Sequence, residues 1–430
     1  MTALAAPPRR WRTSPNLAIN EMVARRRAAG EQIVHLGFGE ARLPASEPLL
    51  RRLVDGAGRN TYGPVAGTPE LRAAVAGYFG RRRLATDPEQ VVAGPGSKPL
   101  LMALNLVLPG DVLLPRPCWN SYAPQAALAG KRAFGVPIPA ECGGVPDPDG
   151  LRRAIQAARA GGGDPRTLVL TVPDNPTGTV APPALIRRLC AIAEEEDLLL
   201  ISDEIYRDLV HDPHTTPVLS PAEVLPERTV IATGLSKSLA LGGWRIGVIR
   251  VPAGPRGEQL RDGVVSVASE VWSSLAGPMQ EVAAYAYGEP PEIRDRLHTC
   301  ARLHGALARA VHGLLVRAGA ECRPPTAGFY VYPDFAPMRA TLARRGVTDS
   351  ASLQRFLLDE AGIAVLGGAQ LGDDPAALRF KAATSTLYGE TRNEQEAALA
   401  AADPAALPHI ATVLNRIEAG LDRLCAGGIR

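Results

Sequence analysis

Short apolar runs that end in polar residues are the most regular pattern along this chain. Three of these runs are Leu168–Val172, Leu198–Ser202 and Thr229–Ala232. Continuous apolar runs of this length are typical of parallel strands that are buried on both faces. Because helix-like segments such as Pro182–Glu196 separate the runs, the pattern predicts an α/β domain built on a mostly parallel sheet.

Polar residues follow the predicted strands at their carboxyl ends. Asn175, Asp203, Tyr206 and Lys237 come directly after three apolar runs, and Gly96 follows the shorter run that begins at Gln90. Ligands of open α/β sheets bind in the crevice beyond the carboxyl ends of the strands. We therefore expect these five residues to converge on one site.

The two ends of the chain show a different pattern from its middle. Further predicted elements are helices Asn16–Ala29, Pro69–Arg81 (capped by Thr68), Glu292–Ala318, Ser352–Ala361 and Leu407–Leu424, and strands Ala327–Pro333, Ile363–Leu366 and Leu378–Ala382. The mixture after residue 290 fits a smaller α+β domain. The predicted division is a flexible N-terminal arm 1–15, a segment 16–55 that joins the small domain, a large domain 56–290 and a small C-terminal domain 291–430.

Composition excludes several classes of protein. The 430 residues are 46% apolar and carry a net charge of only +3, which gives no reason to expect nucleic acid or membrane as a partner. The six cysteines form no CxxC pair and the seven histidines are scattered, so we predict no metal site and no disulfide framework. Met1–Ser14 lacks the apolar core of a secretory signal, which predicts the cytoplasm.

Lysine is scarce, which directs attention to Lys237. The chain has four lysines, Lys98, Lys131, Lys237 and Lys381, among 47 basic residues. Arginine stays protonated, whereas a lysine amine can lose its proton and attack a carbonyl. Lys237 lies in a Gly-rich loop between Ser236 and Arg245, and we interpret it as a Schiff-base lysine.

A second Gly-rich turn fits a phosphate. Gln90–Pro99 reads as a strand, a turn and the start of a helix, an arrangement that directs free backbone N–H groups at an anion. The spacing is neither that of a P-loop nor that of a dinucleotide fingerprint. One molecule, pyridoxal 5′-phosphate (PLP), would bind all of the expected groups: the lysine amine, the phosphate turn at Gly96–Lys98, a buried Asp203 and the aromatic side chains.

The combined motifs resemble the fold-type I, class I/II aminotransferase family. The motifs are Asn175-Pro-Thr-Gly178, Asp203-x-x-Tyr206, Ser236-Lys237 and Arg245. The intervals also resemble the family, with 28 residues from Asn175 to Asp203, 34 from Asp203 to Lys237 and eight from Lys237 to Arg245. The resemblance implies a seven-stranded, mostly parallel sheet flanked by helices, with a smaller α+β domain.

The resemblance also implies a role for each site residue. The catalytic residues are Lys237, which forms the Schiff base and moves a proton, Asp203, which pairs with the ring nitrogen, and Tyr206. The remaining roles are phosphate binding by Gly96, Ser97, Lys98, Ser236 and Arg245, ring contacts by Trp119, Asn175 and Tyr206, and substrate binding by Gly39, Asn175 and Arg379. Tyr62 reaches the cofactor phosphate of a neighbouring subunit, which implies a homodimer.

Some segments depart from the family pattern. They are Glu40–Arg42, Cys118, Glu270–Ser274 and Lys381, which lies two residues from Arg379 and on a strand would share its face. These departures leave the cofactor interpretation intact and leave the substrate open.

Three functions are compatible with the motifs. The first is amino transfer between an L-amino acid and a 2-oxo acid. The second is PLP-dependent elimination, γ-replacement or cyclisation, as in relatives that resemble 1-aminocyclopropane-1-carboxylate synthase and act on S-adenosylmethionine. The third is a PLP-bearing effector domain of a regulator, against which the absence of a predicted helix-turn-helix counts.

Overall fold

The computed structural model of the protein describes residues 13–426. Its strands, in chain order, are β1 Val34–His35, β2 Val91–Gly94, β3 Asp111–Arg116, β4 Ala133–Pro137, β5 Pro165–Thr171, β6 Leu199–Asp203, β7 Thr229–Gly234, β8 Gly247–Arg250, β9 Tyr330–Val331, β10 Ile363–Ala364, β11 Leu366–Gly367 and β12 Phe380–Ala383. Its α-helices are α1 Pro15–Ala28, α2 Glu47–Gly56, α3 Pro69–Arg81, α4 Ser97–Val107, α5 Tyr122–Leu128, α6 Pro148–Ala160, α7 Pro183–Glu195, α8 Pro221–Val224, α9 Leu235–Ser238, α10 Pro255–Val271, α11 Gly277–Gly288, α12 Pro291–Arg317, α13 Arg339–Ala343, α14 Ser350–Asp359, α15 Arg392–Ala400 and α16 Pro408–Cys425.

The main sheet has seven strands in the order β2-β8-β7-β6-β5-β3-β4. The strands β4, β3, β5, β6 and β7 are parallel to one another, and β8 is antiparallel to both of its neighbours. This arrangement confirms the predicted α/β fold with a mostly parallel seven-stranded sheet.

Helices cover both faces of the main sheet, as the continuous apolar strands predict. Val169 and Ile201 pack against the layer that contains α4 and α10. Leu168 and Leu200, the preceding residue in each strand, point the other way and pack with α6 and α7. Since successive side chains of a strand point to opposite faces, both sets must be apolar.

The N-terminal segment joins the C-terminal part of the chain through a short pair of strands. Strand β1 pairs in parallel with β10, with Val34 opposite Ile363. A separate three-stranded sheet has the order β11-β12-β9, and its strands pack over the long helix α12 in a shared apolar core. Helix α1 likewise packs with the C-terminal part of the chain, whereas α2 packs against α11 within the predicted large domain. The predicted division into domains, with a boundary at residue 55, stays a prediction.

Local structure agrees with the sequence where capping signals are strong. Helix α3 spans Pro69–Arg81, and the Thr68 hydroxyl oxygen accepts a hydrogen bond from the Leu71 N–H at 3.3 Å. Helix α1 begins at Pro15, one residue before the predicted start. Residues 1–12 of the predicted arm lie outside the described residues.

Two predicted strands are shorter or divided in the structure. The predicted strand Ala327–Pro333 is regular only at Tyr330–Val331, and its first part is interrupted at Gly328, whose φ of +61° lies outside the range of β-strands. The predicted strand Ile363–Leu366 divides at Val365 into β10 and β11, which belong to different sheets. Within residues 13–426, none of the helices has the length and apolar content that crossing a bilayer requires.

Candidate active site

A cavity of about 300 Å³ lies at the carboxyl ends of the main-sheet strands. Ten of the predicted site residues line it: Gly39, Ser97, Lys98, Trp119, Asn175, Asp203, Tyr206, Ser236, Lys237 and Arg245. They lie at or shortly after the carboxyl ends of β1, β2, β3, β5, β6 and β7. Four of the five residues predicted to converge, Asn175, Asp203, Tyr206 and Lys237, therefore line one cavity, and Gly96 lies beside it against Arg245.

Lys237 lies in α9, the short helix directly after β7, and its amine faces the cavity. Nζ donates a hydrogen bond to the Gly39 carbonyl oxygen at 2.5 Å. Burial, reinforced by the positive charges of Arg245 and Lys98, lowers the pKa of Lys237 to about 8, although Glu40 opposes the shift. A larger share of the amine is therefore neutral and nucleophilic than in an exposed lysine.

Asp203 ends strand β6 and is buried on the wall of the cavity. Its Oδ2 accepts a 2.8 Å hydrogen bond from the Tyr122 hydroxyl, which also lies 2.9 Å from the Thr171 hydroxyl. Burial raises the pKa of Asp203 to about 6, while the Tyr122 hydrogen bond acts in the opposite direction. A buried carboxylate of this kind fits a cationic partner such as a protonated ring nitrogen.

An anion site forms where β2 leads into α4. Gly96, with a φ of +94°, precedes the helix, and Ser97 and Lys98 are its first residues, so free backbone N–H groups face the cavity. The Arg245 guanidinium lies against Gly96, since a Cβ atom at Gly96 would lie 2.3 Å from Nη2 of Arg245. Arg245 also donates from Nη1 to the Gly242 carbonyl oxygen at 2.7 Å. The helix start and the cations fit a phosphate.

The lining of the cavity also includes a buried polar group without a protein partner and several aromatic side chains. The Oδ1 atom of Asn175 is buried and has no hydrogen-bond partner among the described residues. The hydroxyl groups of Tyr206 and Tyr330 lie 2.7 Å apart, and Trp119 provides an aromatic surface with the Lys98 amine 5.2 Å from its ring centre. These side chains fit an aromatic cofactor that carries a ring oxygen and a phosphate.

Two predicted residues lie away from this cavity. Tyr62 is 91% exposed. Arg379 lines a neighbouring cavity of about 700 Å³, where its Nε donates to Asp334 at 2.7 Å and its Nη1 lies 3.4 Å from Asp373. Arg379 and Lys381 line different cavities: Arg379 forms an isolated antiparallel bridge with Asp334 just before β12, and two carboxylates hold its guanidinium. The predicted substrate contact of Arg379 stays a prediction.

Several residues of the cavity were not assigned from the sequence. They are Ser14, Asn16, Leu17, Phe38, Tyr122, Thr171, Ile205, Gly242, Tyr330 and Lys381, with Glu40 from the departing segment. Two of them could have been found from the sequence. Tyr122 follows Trp119 in the same aromatic segment, and Lys381 is one of only four lysines. The residues at the start of α1 could not have been found, because nothing in their sequence indicates that this end of the helix lies over the cavity.

The remaining departures from the family pattern also have definite positions. Glu40 lines the cavity and pairs with Arg42 at 3.1 Å. Cys118 is buried, and burial raises the pKa of its thiol to about 12, which leaves it unreactive. None of the residues in Glu270–Ser274, all within the described range, lines this cavity.

Comparison with known proteins gives consistent relatives. The family model for class I and II aminotransferases matches residues 31–388. The chain is 31% identical over 382 residues to the probable aspartate/prephenate aminotransferase of Thermus aquaticus, with 86% of this chain and 92% of the relative covered. It is 32% identical over 382 residues to the aspartate/prephenate aminotransferase of Cereibacter sphaeroides, with 85% and 91% covered.

The solved structures agree with these relatives. The aspartate aminotransferase of Thermus thermophilus with maleate superimposes with a TM-score of 0.81 at 28% identity, over 98% of this chain and 100% of that one. Nothing in the comparisons favours the elimination, γ-replacement or cyclisation alternative. The chain therefore belongs to the class I and II aminotransferase family and is a PLP-dependent enzyme that transfers an amino group between an L-amino acid and a 2-oxo acid.

Proposed function

We propose that Lys237 bonds the cofactor and carries the proton at the substrate Cα during amino transfer. Bound PLP supplies an aldehyde and an electron-withdrawing ring that stabilises negative charge at Cα. The observation that carries the proposal is the Lys237 amine, which faces the cavity with a pKa of about 8. An amine with this pKa is partly neutral near neutral pH, so it can attack an aldehyde and can also accept a proton.

Separate groups of side chains match the separate ends of the cofactor. The proposed ligands are Gly96, Ser97, Lys98, Ser236 and Arg245 for the phosphate, Asp203 for the ring nitrogen, Asn175 and Tyr206 for the ring oxygen, and Trp119 for the ring face. The unpartnered Asn175 amide oxygen and the Arg245 guanidinium beside Gly96 support this arrangement. Tyr122 positions Asp203 through its hydrogen bond.

The substrate end of the cavity lies beside Tyr330. We propose Gly39 and Asn175 as substrate-binding groups there, as the family resemblance implies. Gly39 lies so close to Tyr330 that a Cβ atom would be 2.1 Å from its hydroxyl oxygen, so a side chain would fill the space. Arg379 has the same predicted role, but Asp334 and Asp373 already neutralise its guanidinium.

We also propose a homodimer in which Tyr62 contacts the cofactor phosphate of the partner subunit. Tyr62 is 91% exposed in the single chain, and Val54 and Val271 are exposed at 73% and 65%. Large exposed apolar side chains of this kind are common at subunit interfaces. Sedimentation analysis should give a dimer, and Tyr62→Phe should weaken cofactor binding without changing the mass of the assembly.

The amino donor is expected among the acidic amino acids, since the matched relatives are named for aspartate. Four cations (Lys98, Lys237, Arg245 and Lys381) and two carboxylates (Glu40 and Asp203) line the cavity, which favours anionic substrates. A cytoplasmic location is a proposal of the same kind.

The role of Lys237 is tested by reducing the protein with borohydride in the presence of the cofactor. Wild type should retain the reduced cofactor covalently after denaturation, and peptide mapping should find that cofactor on the peptide that contains Lys237. Lys237→Ala should bind the cofactor reversibly and retain none. Lys131→Ala is the matched control, because Lys131 does not line the cavity. Reduced cofactor on any other lysine would overturn the assignment.

A further inference from the structure

Two acidic residues follow each other at the end of β6, and only one of them faces the active-site cavity. Asp203 lines the cavity, whereas Glu204 does not. Both are buried, with 3% and 1% of their surfaces exposed. Because a buried carboxylate is stable as an anion only with suitable partners, the surroundings of each acid decide whether it carries a charge.

Glu204 is held outside the cavity by a cation and two hydroxyl groups. Nη1 of Arg207 donates to Oε2 of Glu204 at 2.6 Å. The Ser202 hydroxyl donates to Oε1 at 2.9 Å, and the Ser220 hydroxyl donates to the same oxygen. Only 9% of the Arg207 side chain is exposed, and its Nη2 also lies 3.2 Å from Glu223. These partners fit a charged Glu204 that Arg207 neutralises.

Asp203 has no cation of this kind among residues 13–426. Its two hydrogen-bond donors are neutral, the Tyr122 hydroxyl at 2.8 Å and the Ile205 N–H at 3.3 Å. Burial, with a smaller contribution from the negative charge of Glu204, raises the pKa of Asp203 to about 6, while the positive charge of Lys237 opposes the shift. A charge on Glu204 without its cation would therefore favour protonated Asp203 still further.

The other ionisable groups near the two acids cannot replace Arg207. Burial raises the pKa of the Tyr206 and Tyr330 hydroxyls, so both stay uncharged near neutral pH. Arg250 of β8 is a second cation on which the charge of Glu204 acts, but its guanidinium forms no ion pair with any described residue. Arg207 is the cation in direct contact with Glu204.

We propose that Arg207 is a positioning residue for the cofactor, because by neutralising Glu204 it leaves Asp203 as the acid that pairs with the ring nitrogen. The proposal rests on the proposed function, which assigns Asp203 to that nitrogen. The charge of Asp203 matters there, since it decides whether this acid can hold a proton at the ring nitrogen. Arg207 acts through the two acids and does not itself line the cavity.

The test measures the dissociation constant of PLP for the apoproteins between pH 5 and pH 9 by visible absorbance, with each variant compared with wild type at the same pH. Below the Asp203 pKa, a shift of half a unit changes the charged fraction about threefold. At pH 5, Arg207→Met should therefore weaken binding at least about threefold, and Glu204→Gln, which keeps the cation, should tighten it by a similar factor. Both effects should fade towards pH 9, where Asp203 is charged in every variant.

The double variant Arg207→Met/Glu204→Gln removes both charges and should bind PLP within about twofold of wild type at every pH. Glu289→Gln is the matched control, because Glu289 is another buried acid that is paired with arginines, Arg81 and Arg82, and does not line the cavity. This control should lower stability and leave the affinity for PLP unchanged.

A role in folding alone predicts a different pattern, in which Arg207→Met and Glu204→Gln both weaken binding and the double variant is no better. That pattern would overturn the proposal. If Arg207→Met does not fold, Glu204→Gln decides, since unchanged or weaker binding at pH 5 would also overturn it. Failure of the proposed function is distinguishable, because Asp203→Asn would then bind PLP with the affinity and pH dependence of wild type.

Discussion

The Tyr122 hydroxyl donates a 2.8 Å hydrogen bond to Oδ2 of Asp203, and both groups are buried in the wall of the active-site cavity. The hydrogen bond stabilises the charged form of a carboxyl group whose burial raises its pKa to about 6. Tyr122 therefore keeps Asp203 available as an anion at neutral pH. This contact links the start of α5 to the end of β6.

Tyr122→Phe should weaken cofactor binding at least about tenfold, because a hydrogen bond to a charged group contributes about 1.5–3 kcal/mol. The loss follows from a further rise in the Asp203 pKa, which leaves less carboxylate to pair with the ring nitrogen. Titration of the apoprotein with PLP, followed by visible absorbance, measures the effect.

Tyr78→Phe is the matched control for Tyr122→Phe. Tyr78 is also buried and donates to an aspartate, Asp208, at 2.9 Å, but it does not line the cavity. Its loss should lower stability and leave the dissociation constant of the cofactor unchanged. Equal weakening in both variants would mean that Tyr122 acts through folding alone.

The stability of the apoprotein should depend on Asp203 in a defined pH window. Burial raises the Asp203 pKa from 3.8 to about 6, so the protonated form is favoured in the folded state. The contribution of protonated Asp203 to the free energy of unfolding is fully present below pH 4 and is lost as the pH rises to about 6. Relative to Asp203→Asn, which cannot ionise, wild-type apoprotein should lose roughly 3 kcal/mol over this range and no more above it, since each pKa unit is about 1.4 kcal/mol.

Urea unfolding of both apoproteins at pH 4, 5, 6 and 7 checks this dependence. The difference between the two free energies of unfolding isolates Asp203 from the other titrating groups. A difference that stays constant between pH 4 and 7 would show that the Asp203 pKa is not raised.

Gly96 should be needed for phosphate binding rather than for folding. Gly96→Ala places a methyl group 2.3 Å from Nη2 of Arg245 and strains a backbone with a φ of +94°. The guanidinium must move, so cofactor affinity should fall several-fold in the same absorbance titration. Gly30→Ala is the control, because Gly30 has a φ of +90° and nothing lies within 4 Å of its added methyl.

Both glycine variants should lose about 1 kcal/mol of stability from the shared backbone strain. Only Gly96→Ala should change the dissociation constant of the cofactor. Equal affinity in the two variants would place the phosphate away from Gly96.

The strands and the residues at their ends could be predicted because each depends on local sequence. The apolar runs before Asn175, Asp203 and Lys237 fix three parallel strands, and parallel strands bring their carboxyl ends together. The Tyr122 contact with Asp203 could not be predicted, since 81 residues separate the two and only the folded sheet brings them together.

The contacts of the Arg379 and Lys381 side chains could not be predicted, because they involve charged residues that are distant in the sequence. Two carboxylates hold the Arg379 guanidinium, and one of them, Asp334, is 45 residues away in the chain. The two-residue spacing concerns the backbone, and Arg379 does form an antiparallel bridge with Asp334 just before β12, but its side chain and Asp334 line the neighbouring cavity. Sequence periodicity alone does not show which charged groups a long side chain meets.

The most direct test of amino transfer by this enzyme is to follow the visible spectrum of its PLP-loaded form after addition of single L-amino acids, beginning with aspartate and glutamate. Amino transfer predicts that the absorbance of the bound aldehyde form is replaced by that of pyridoxamine 5′-phosphate, with release of the matching 2-oxo acid. Addition of a 2-oxo acid should then restore the first spectrum. A protein that takes up no PLP, or one that forms product without the pyridoxamine form, would contradict the assignment of this chain as an aminotransferase.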